Sequence, residues 1–459
     1  MVIINTKYGS FEGLTHKNLD LFLGIPYAYP PIGHRRFKHA SPIYSYDTLV
    51  DATQFRAIPP QPFNKLETFF STTKQKFQPN EDCLHLNIWR QSTGKAKKPV
   101  IIYFYGGGFI NGHGSAELYT PEHIVEQYDV IVITFNYRLG ALGFLDWSYF
   151  NAHYDKNNGL SDQIAVLKWV AHFIKYFGGD PDNVTLWGQS AGSMSIQALM
   201  QQPQLDHYYH QVMLLSGILQ LDSAKTGMMK AQHFDDLMQQ HFSGKSINDL
   251  DDQAILQLMA YDAEARGKSK GLELIYQPIK DSKMCRPLTE FNKPIVLSYT
   301  KDEGDCYIRN ESRKLSPQRF VDVMKLNHIH VDFSHVQTGK QQAHVVTELY
   351  FKQPTFTLLQ QMSNNSYRWL LRFDWARPEH VHFASAYHIL DLVFWFGKMD
   401  ILQGHSIKLS NNEFELSKRM ISDLVHYART GTMPYEPYSI NNLEPHVNKE
   451  RKGVGQNSF

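Results

Sequence analysis

The sequence predicts an α/β protein with a central, mostly parallel sheet covered by helices on both faces. Three observations carry this. Between about Pro99 and Ser216 short apolar runs alternate with helical patterns, the order that parallel strands with crossover helices produce. KPVIIYFY (98–105) and VIVITFNY (130–137) are continuous, β-branched and aromatic, as strands buried on both faces are. Finally, 459 residues with 42% hydrophobic and 13% aromatic content can bury a large core.

The elements follow in order. After the two strands, SDQIAVLKWVAHFIKYF (161–177) places Ile164, Leu167, Val170 and Ile174 on one helical face, with Ser161 as N-cap and Gly178-Gly179 as the stop. The strand VTLW (184–187) enters the turn GQSAG, a helix runs to about Gln202, and QVMLLSG (211–217) is a further strand. PIVLSYT (294–300) and YRWLLRF (367–373) add two more. Segments 219–280 and 310–364 are richer in helix formers, and are expected to be cap insertions in a single domain spanning 1–459. Ligands of open α/β sheets bind at the carboxyl ends of the strands, where such caps would sit. The terminal RKGVGQNSF reads as a loose tail.

Composition narrows the function. Lysine plus arginine (46) balances aspartate plus glutamate (45), so no strong field favours nucleic acid or an anionic membrane. No run approaches the roughly 18 apolar residues of a membrane helix, and MVIINTKYGSFEG lacks the pattern of a secretory signal. Three scattered cysteines, Cys83, Cys285 and Cys306, suit a reducing compartment better than a disulfide framework. These features predict a cytoplasmic protein whose partner is a small molecule.

Two motifs carry chemistry. In WGQSAGS, Gly188-x-Ser190-x-Gly192 stands at a strand-to-helix junction. A tight turn there lifts a serine hydroxyl above the sheet, beside helix amides that favour negative charge. In YGGGFINGHGS (105–115) the glycines are contiguous. A phosphate loop would need a lysine followed by Ser or Thr, and a dinucleotide fingerprint would need G-x-G-x-x-G opening a helix. Neither is present. The glycines instead suit an oxyanion hole, with the amides of Gly107, Gly108 and Ala191 as donors.

With these elements in register, the chain resembles the type-B carboxylesterase family of α/β-hydrolases, which includes the cholinesterases. LGIPYAYPPIGHRRF (23–37), EDCLHLNIW (81–89), YGGGFINGHGS, VITFNYRLGALGFL (132–145) and 159–193 through the nucleophile carry the resemblance. It implies an α/β-hydrolase fold and a serine, acid, histidine triad in that order. In PIVLSYTKDEGDCYI the acid followed by glycine selects Glu303, with Asp302 as the alternative; ASAYHILDLVFWFG selects His388 over His380 and His382.

The resemblance further implies Arg36–Glu81 and Arg138–Asp162 as buried ion pairs, and Ser216 as a serine near the acid that either bonds it or belongs to turn chemistry. Secreted members pair the cysteine of the EDCL motif with one upstream, and no cysteine precedes Cys83. Tyr105 stands where most bacterial members carry histidine and cholinesterases carry tyrosine. Trp89 lies near the cholinesterase cation-binding stretch, without a firm match. Phe109, Phe394 and Trp395 are candidate pocket walls or ordinary core. No cofactor and no metal are expected.

The expected activity is hydrolysis of small carboxylic esters through an acyl-enzyme. The alternatives are a specialised hydrolase of carbamates, lactones, or feruloyl or tannin-type esters, and a non-catalytic adhesion-like binding module.

Overall fold

The computed structural model describes residues 1–449 apart from 74, 95–96 and 440–441, so the expected loose tail lies outside the described residues. Among the described residues twelve strands form one sheet. They are β1 (Val2–Thr6), β2 (Gly9–His16), β3 (Leu19–Pro26), β4 (Val50–Asp51), β5 (His85–Gln91), β6 (Lys98–Phe104), β7 (Ile131–Phe135), β8 (Gly179–Gln189), β9 (Gln211–Leu215), β10 (Ile295–Thr300), β11 (Arg368–Phe373) and β12 (His446–Asn448). The order is β1-β2-β3-β5-β7-β6-β8-β9-β10-β11-β12, with β4 beside β2. Every pairing from β7 through β12 is parallel. The β1-β2-β3-β5-β7 side is antiparallel.

The residues explain the difference. All five residues of β7 and of β9 are buried, so both sheet faces are covered there; β1 and β2 alternate in burial and lie at the edge.

The helix foreseen from Ser161 begins earlier and spans Asn158–Phe173, after Asn157 in a left-handed conformation. Ser161 is not its cap. Its hydroxyl donates back to the Asn158 carbonyl at 2.7 Å and accepts from the Ala40 amide at 3.0 Å. Gly178 ends the following short 3-10 turn at φ 81°, where glycine carries no Cβ penalty.

The two segments with few strand signals are helical, with Ala224–His241 and Asp252–Arg266 in the first and Pro317–Leu326, Gly339–Val345 and Gln353–Gln361 in the second. Phe320, Val323, Met324, Val346 and Phe351 of the second segment form an apolar cluster separate from the main core.

Both expected ion pairs are present. Arg36 Nη2 lies 2.6 Å from Glu81 Oε1, and Arg138 Nη2 2.6 Å from Asp162 Oδ1. Arg138 also donates to the Arg36 carbonyl, and its own amide donates to Asp162 Oδ2. One buried guanidinium thus ties the segment after β7, the helix at 158–173 and the loop carrying Arg36. Arg138→Ala would strand the Asp162 carboxylate, which is 0% exposed, and is expected to cost about 3–5 kcal/mol, read as a lower urea midpoint at unchanged m-value.

Candidate active site

Ser190 joins β8 to the helix Ala191–Met200 with φ 55° and ψ −124°, a strained conformation for a residue with a side chain. Its amide donates to the Leu215 carbonyl at 2.8 Å, and its carbonyl accepts from the Met194 amide at 3.0 Å. The turn is this tight only because position 192 is glycine. A Cβ on Gly192 would lie 2.0 Å from the Phe104 carbonyl oxygen. Although Ser190 occupies the N-cap position, its hydroxyl caps nothing, and it faces a cavity of about 390 Å³.

Glu303 and His388 meet at the same place. Glu303, 0% exposed, opens a 3-10 turn just after β10. Its Oε1 accepts from the Thr300 amide at 2.7 Å, and its Oε2 lies 2.6 Å from His388 Nδ1. Asp302 has a different task. Its carboxylate accepts from the Ala386 amide and its own amide donates to the Ala386 carbonyl, both at 3.0 Å, a clip between the acid loop and the histidine loop.

The imidazole of His388 is packed by Phe351 and Tyr307, whose ring centroids lie 5.0 and 5.6 Å away. His380 and His382 sit apart from it, engaged with the His405 carbonyl and with Arg309. On its open side His388 Nε2 faces the amide nitrogen of Gln189 at 3.2 Å.

The glycine loop follows β6 and passes over the Ser190 turn. Gly107 has φ 119° and Gly108 φ 61°, and a Cβ on Gly107 would lie 2.2 Å from the Asn111 carbonyl oxygen. Gly107→Ala therefore has to open the loop, and, with the Gly107 amide expected as an oxyanion donor, kcat should fall by about 10²–10³. Steady-state kinetics on a p-nitrophenyl ester would measure it.

Tyr105 braces this loop. Its ring stacks on Tyr137 at 4.5 Å, its carbonyl accepts from the Tyr137 hydroxyl at 2.9 Å, and its hydroxyl sits 3.4 Å from the Tyr137 amide and carbonyl.

Gly107, Gly108, Ser190, Ala191 and His388 all line the cavity. Its remaining wall comes from residues that motif reading does not single out, chiefly Leu118, Met194, Leu274, Tyr307, Tyr350 and Phe351. A π-helix over Val346–Lys352 carries the last two, and such distortions concentrate at functional sites. No motif spacing signals them, because they come from separate elements.

The pocket-wall reading of Phe109, Phe394 and Trp395 is corrected: all three are core. Phe109 turns under its loop at φ 62° to pack on Phe144. Phe394 packs on Phe373 and Trp375, and Trp395 lies against Trp187. Trp89 is likewise buried, on β5.

Two buried polar groups stand behind the site. Asp391 is 0% exposed, and among the described residues neither carboxylate oxygen meets a donor in good hydrogen-bond geometry. Burial, with the charge of Glu303 adding to it and His388 opposing, pushes its carboxyl up to about 7. Ser216 stands at φ 52° with its Oγ buried and unpartnered among the described residues, so it does not bond the acid. All three cysteines are free, and burial pushes the Cys83 thiol well up, as suits a small apolar core residue. Among the described residues no helix is long and apolar enough to cross a membrane.

The model of the carboxylesterase family matches residues 1–452. The chain belongs to the carboxylesterase family. Para-nitrobenzyl esterase of Bacillus subtilis (strain 168) is 32% identical over 452 residues, covering 94% of this chain and 90% of that protein. Two solved structures agree. A thermophilic pNB esterase superposes with TM-score 0.83 at 30% identity, covering 94% of this chain and 91% of its own. Another pNB esterase structure gives 0.86 at 29%, covering 97% and 95%. This carboxylesterase thus has the α/β-hydrolase fold and is a carboxylic ester hydrolase.

Proposed function

We propose that this carboxylesterase hydrolyses small carboxylic esters through an acyl-enzyme on Ser190, with His388 as general base and acid, Glu303 as the group that orients it, and the amides of Gly107, Gly108 and Ala191 as the oxyanion hole. The observation that carries the reading is the 2.6 Å contact between Glu303 Oε2 and His388 Nδ1 beside a cavity that also exposes Ser190. That contact fixes the proton on Nδ1 and leaves Nε2 as acceptor.

In the first stage Nε2 takes the hydroxyl proton of Ser190 as Oγ attacks the ester carbonyl, and returns it to the leaving alcohol. Water repeats the sequence on the acyl-enzyme. The carboxylate of Glu303 stabilises the imidazolium in each stage. The apolar wall of Leu118, Leu274, Tyr350 and Phe351 supports apolar acyl or alcohol groups of modest size, para-nitrobenzyl esters among them. Both helical segments act as caps on this reading, since Leu274 comes from one and Tyr350 and Phe351 from the other. Three free thiols support work in a reducing, cytoplasmic compartment.

An organophosphate should inactivate the enzyme and leave one modified peptide, mapped by mass spectrometry to Ser190. A panel of p-nitrophenyl esters from acetate to decanoate should show kcat/KM rising and then falling as the acyl chain outgrows about 390 Å³. Modification at any other serine would refute the assignment.

A further inference from the structure

Hydrogen bonding at His388 sets up an inference about the residue before the nucleophile, and it rests on His388 being the general base. His388 Nδ1 is 2.6 Å from a carboxylate oxygen, which only accepts, so Nδ1 carries the proton. Nε2 then holds a lone pair. It is met at 3.2 Å by Gln189 Nε2, an amide nitrogen, which only donates. The two neighbours therefore demand the same tautomer, the one a general base needs. Ser190 Oγ makes no hydrogen bond among those described for the chain. Gln189 is 1% exposed, and its Oε1 is turned toward Gly106, where a Cβ would lie 2.6 Å away. With Nδ1 protonated toward Glu303, Nε2 can only accept, and it is this hydrogen bond that calls for the amide nitrogen on the imidazole side.

We propose that Gln189 is a positioning residue that occupies the lone pair of His388 Nε2 in the resting enzyme, favouring the neutral imidazole, and gives way to the Ser190 hydroxyl when substrate binds.

The exchange is between adjacent residues, Gln189 ending β8 and Ser190 opening the following turn. When the Ser190 proton passes to Nε2 as Oγ bonds the carbonyl carbon, the lone pair is consumed and the amide has no acceptor left. The interaction belongs to the resting state alone. The charged and titratable groups around the imidazole and its cavity are Glu303, which bonds it, Asp391 three residues on, Tyr307 and Cys306 from the acid loop, and Lys65, Glu67, Glu117, Tyr119, Lys270, Glu273, Arg313 and Tyr350 at the cavity wall. Phe351 from the π-helix adds no charge. Gln189 is the neutral donor among them, and a carboxylate in its place would reverse the preference. That introduced carboxylate and Nε2 would share one proton, and whichever atom held it, Nε2 could accept from serine only after that proton left.

The test is the pH dependence of kcat/KM on p-nitrophenyl butyrate for the parent, Gln189→Glu and Gln189→Met, with circular dichroism to establish folding. The acid limb should move to higher pH by about 1–3 units in Gln189→Glu, the range for an opposite charge at this distance, and by less in Gln189→Met, which keeps the shape but loses the donor. A side chain that merely fills space would lower activity by one factor at every pH in Gln189→Met and leave its limb in place, whatever the charge added in Gln189→Glu does to its own limb; an unmoved limb in Gln189→Met overturns the proposal. If Gln189→Glu fails to fold, Gln189→Met decides alone by the same limb, and a crystal structure of the parent with Gln189 Nε2 beyond about 4 Å of the imidazole, outside hydrogen-bond reach, overturns it as well. An inactive Ser190→Ala beside an unmoved limb would sink this inference and leave the triad reading standing.

Discussion

Ser190→Ala is expected to lower kcat on p-nitrophenyl acetate by about 10⁴–10⁶-fold, the loss that follows removal of a serine nucleophile. The remaining rate should still exceed that in water, since an oxyanion hole and binding alone supply about 10³–10⁴. The variant should fold as well as the parent. Ser190 Oγ supports no cap on the following helix, and the positive φ at 190 strains alanine as it strains serine. Its melting temperature should therefore stay within about 2 °C, a surface-like change in stability. The pairing of dead chemistry with an intact fold is what separates a nucleophile from a structural serine. A variant within tenfold of the parent would end the acyl-enzyme reading, and organophosphate labelling of the same variant should fall to background.

How much of this is legible in the sequence depends on whether a feature is local. Strands β6 through β9 and the nucleophile turn are readable because unbroken β-branched runs and the flanking glycines are written in consecutive residues. The glycine loop is readable by elimination, since the phosphate alternatives demand residues that are absent. The acid and the histidine need the family resemblance; 85 residues separate Glu303 from His388, and no spacing rule brings them together. The cavity wall is not readable. Phe109, Phe394 and Trp395 are near the motifs in sequence, but their backbone turns them into the core, while Tyr350 and Phe351 reach the site only through a π-helix. The start of the helix at 158 is hidden because Ser161 looks like a cap, yet its hydroxyl serves the Asn158 carbonyl and the Ala40 amide. Asn157, with φ 57°, is the better signal, since asparagine tolerates the left-handed region.

Gln189 and Asp391 illustrate a third level. Both sit inside readable motifs, but what each does depends on groups brought from elsewhere. The amide of one reaches an imidazole 199 positions away. The carboxyl of the other meets no well-placed donor among the described residues, and its burial together with the Glu303 charge raises it while His388 opposes.

Glu303→Gln should lower kcat by about 10⁴-fold, the penalty for the wrong histidine tautomer in the equivalent change in serine proteases. The two hydrogen bonds of Glu303 dictate how. Its Oε1 accepts from the Thr300 amide and its Oε2 from His388 Nδ1. Glutamine has one oxygen and one NH₂, and the Thr300 amide can only donate, so it claims the oxygen. The NH₂ then faces Nδ1, which must become the acceptor, and the ring proton moves to Nε2. A protonated Nε2 cannot take the proton of Ser190. The defect should lie in kcat with KM little changed, because the ester contacts the cavity and not the acid. Glu303→Asp keeps an acceptor and should lose less than Glu303→Gln. Asp302→Asn is the control: asparagine can still accept from the Ala386 amide, so the clip weakens by about 1 kcal/mol and turnover should stay within about tenfold. If Asp302→Asn were the dead variant and Glu303→Gln the active one, the orienting carboxylate would be Asp302, and the short contact at His388 would be a bystander to the chemistry.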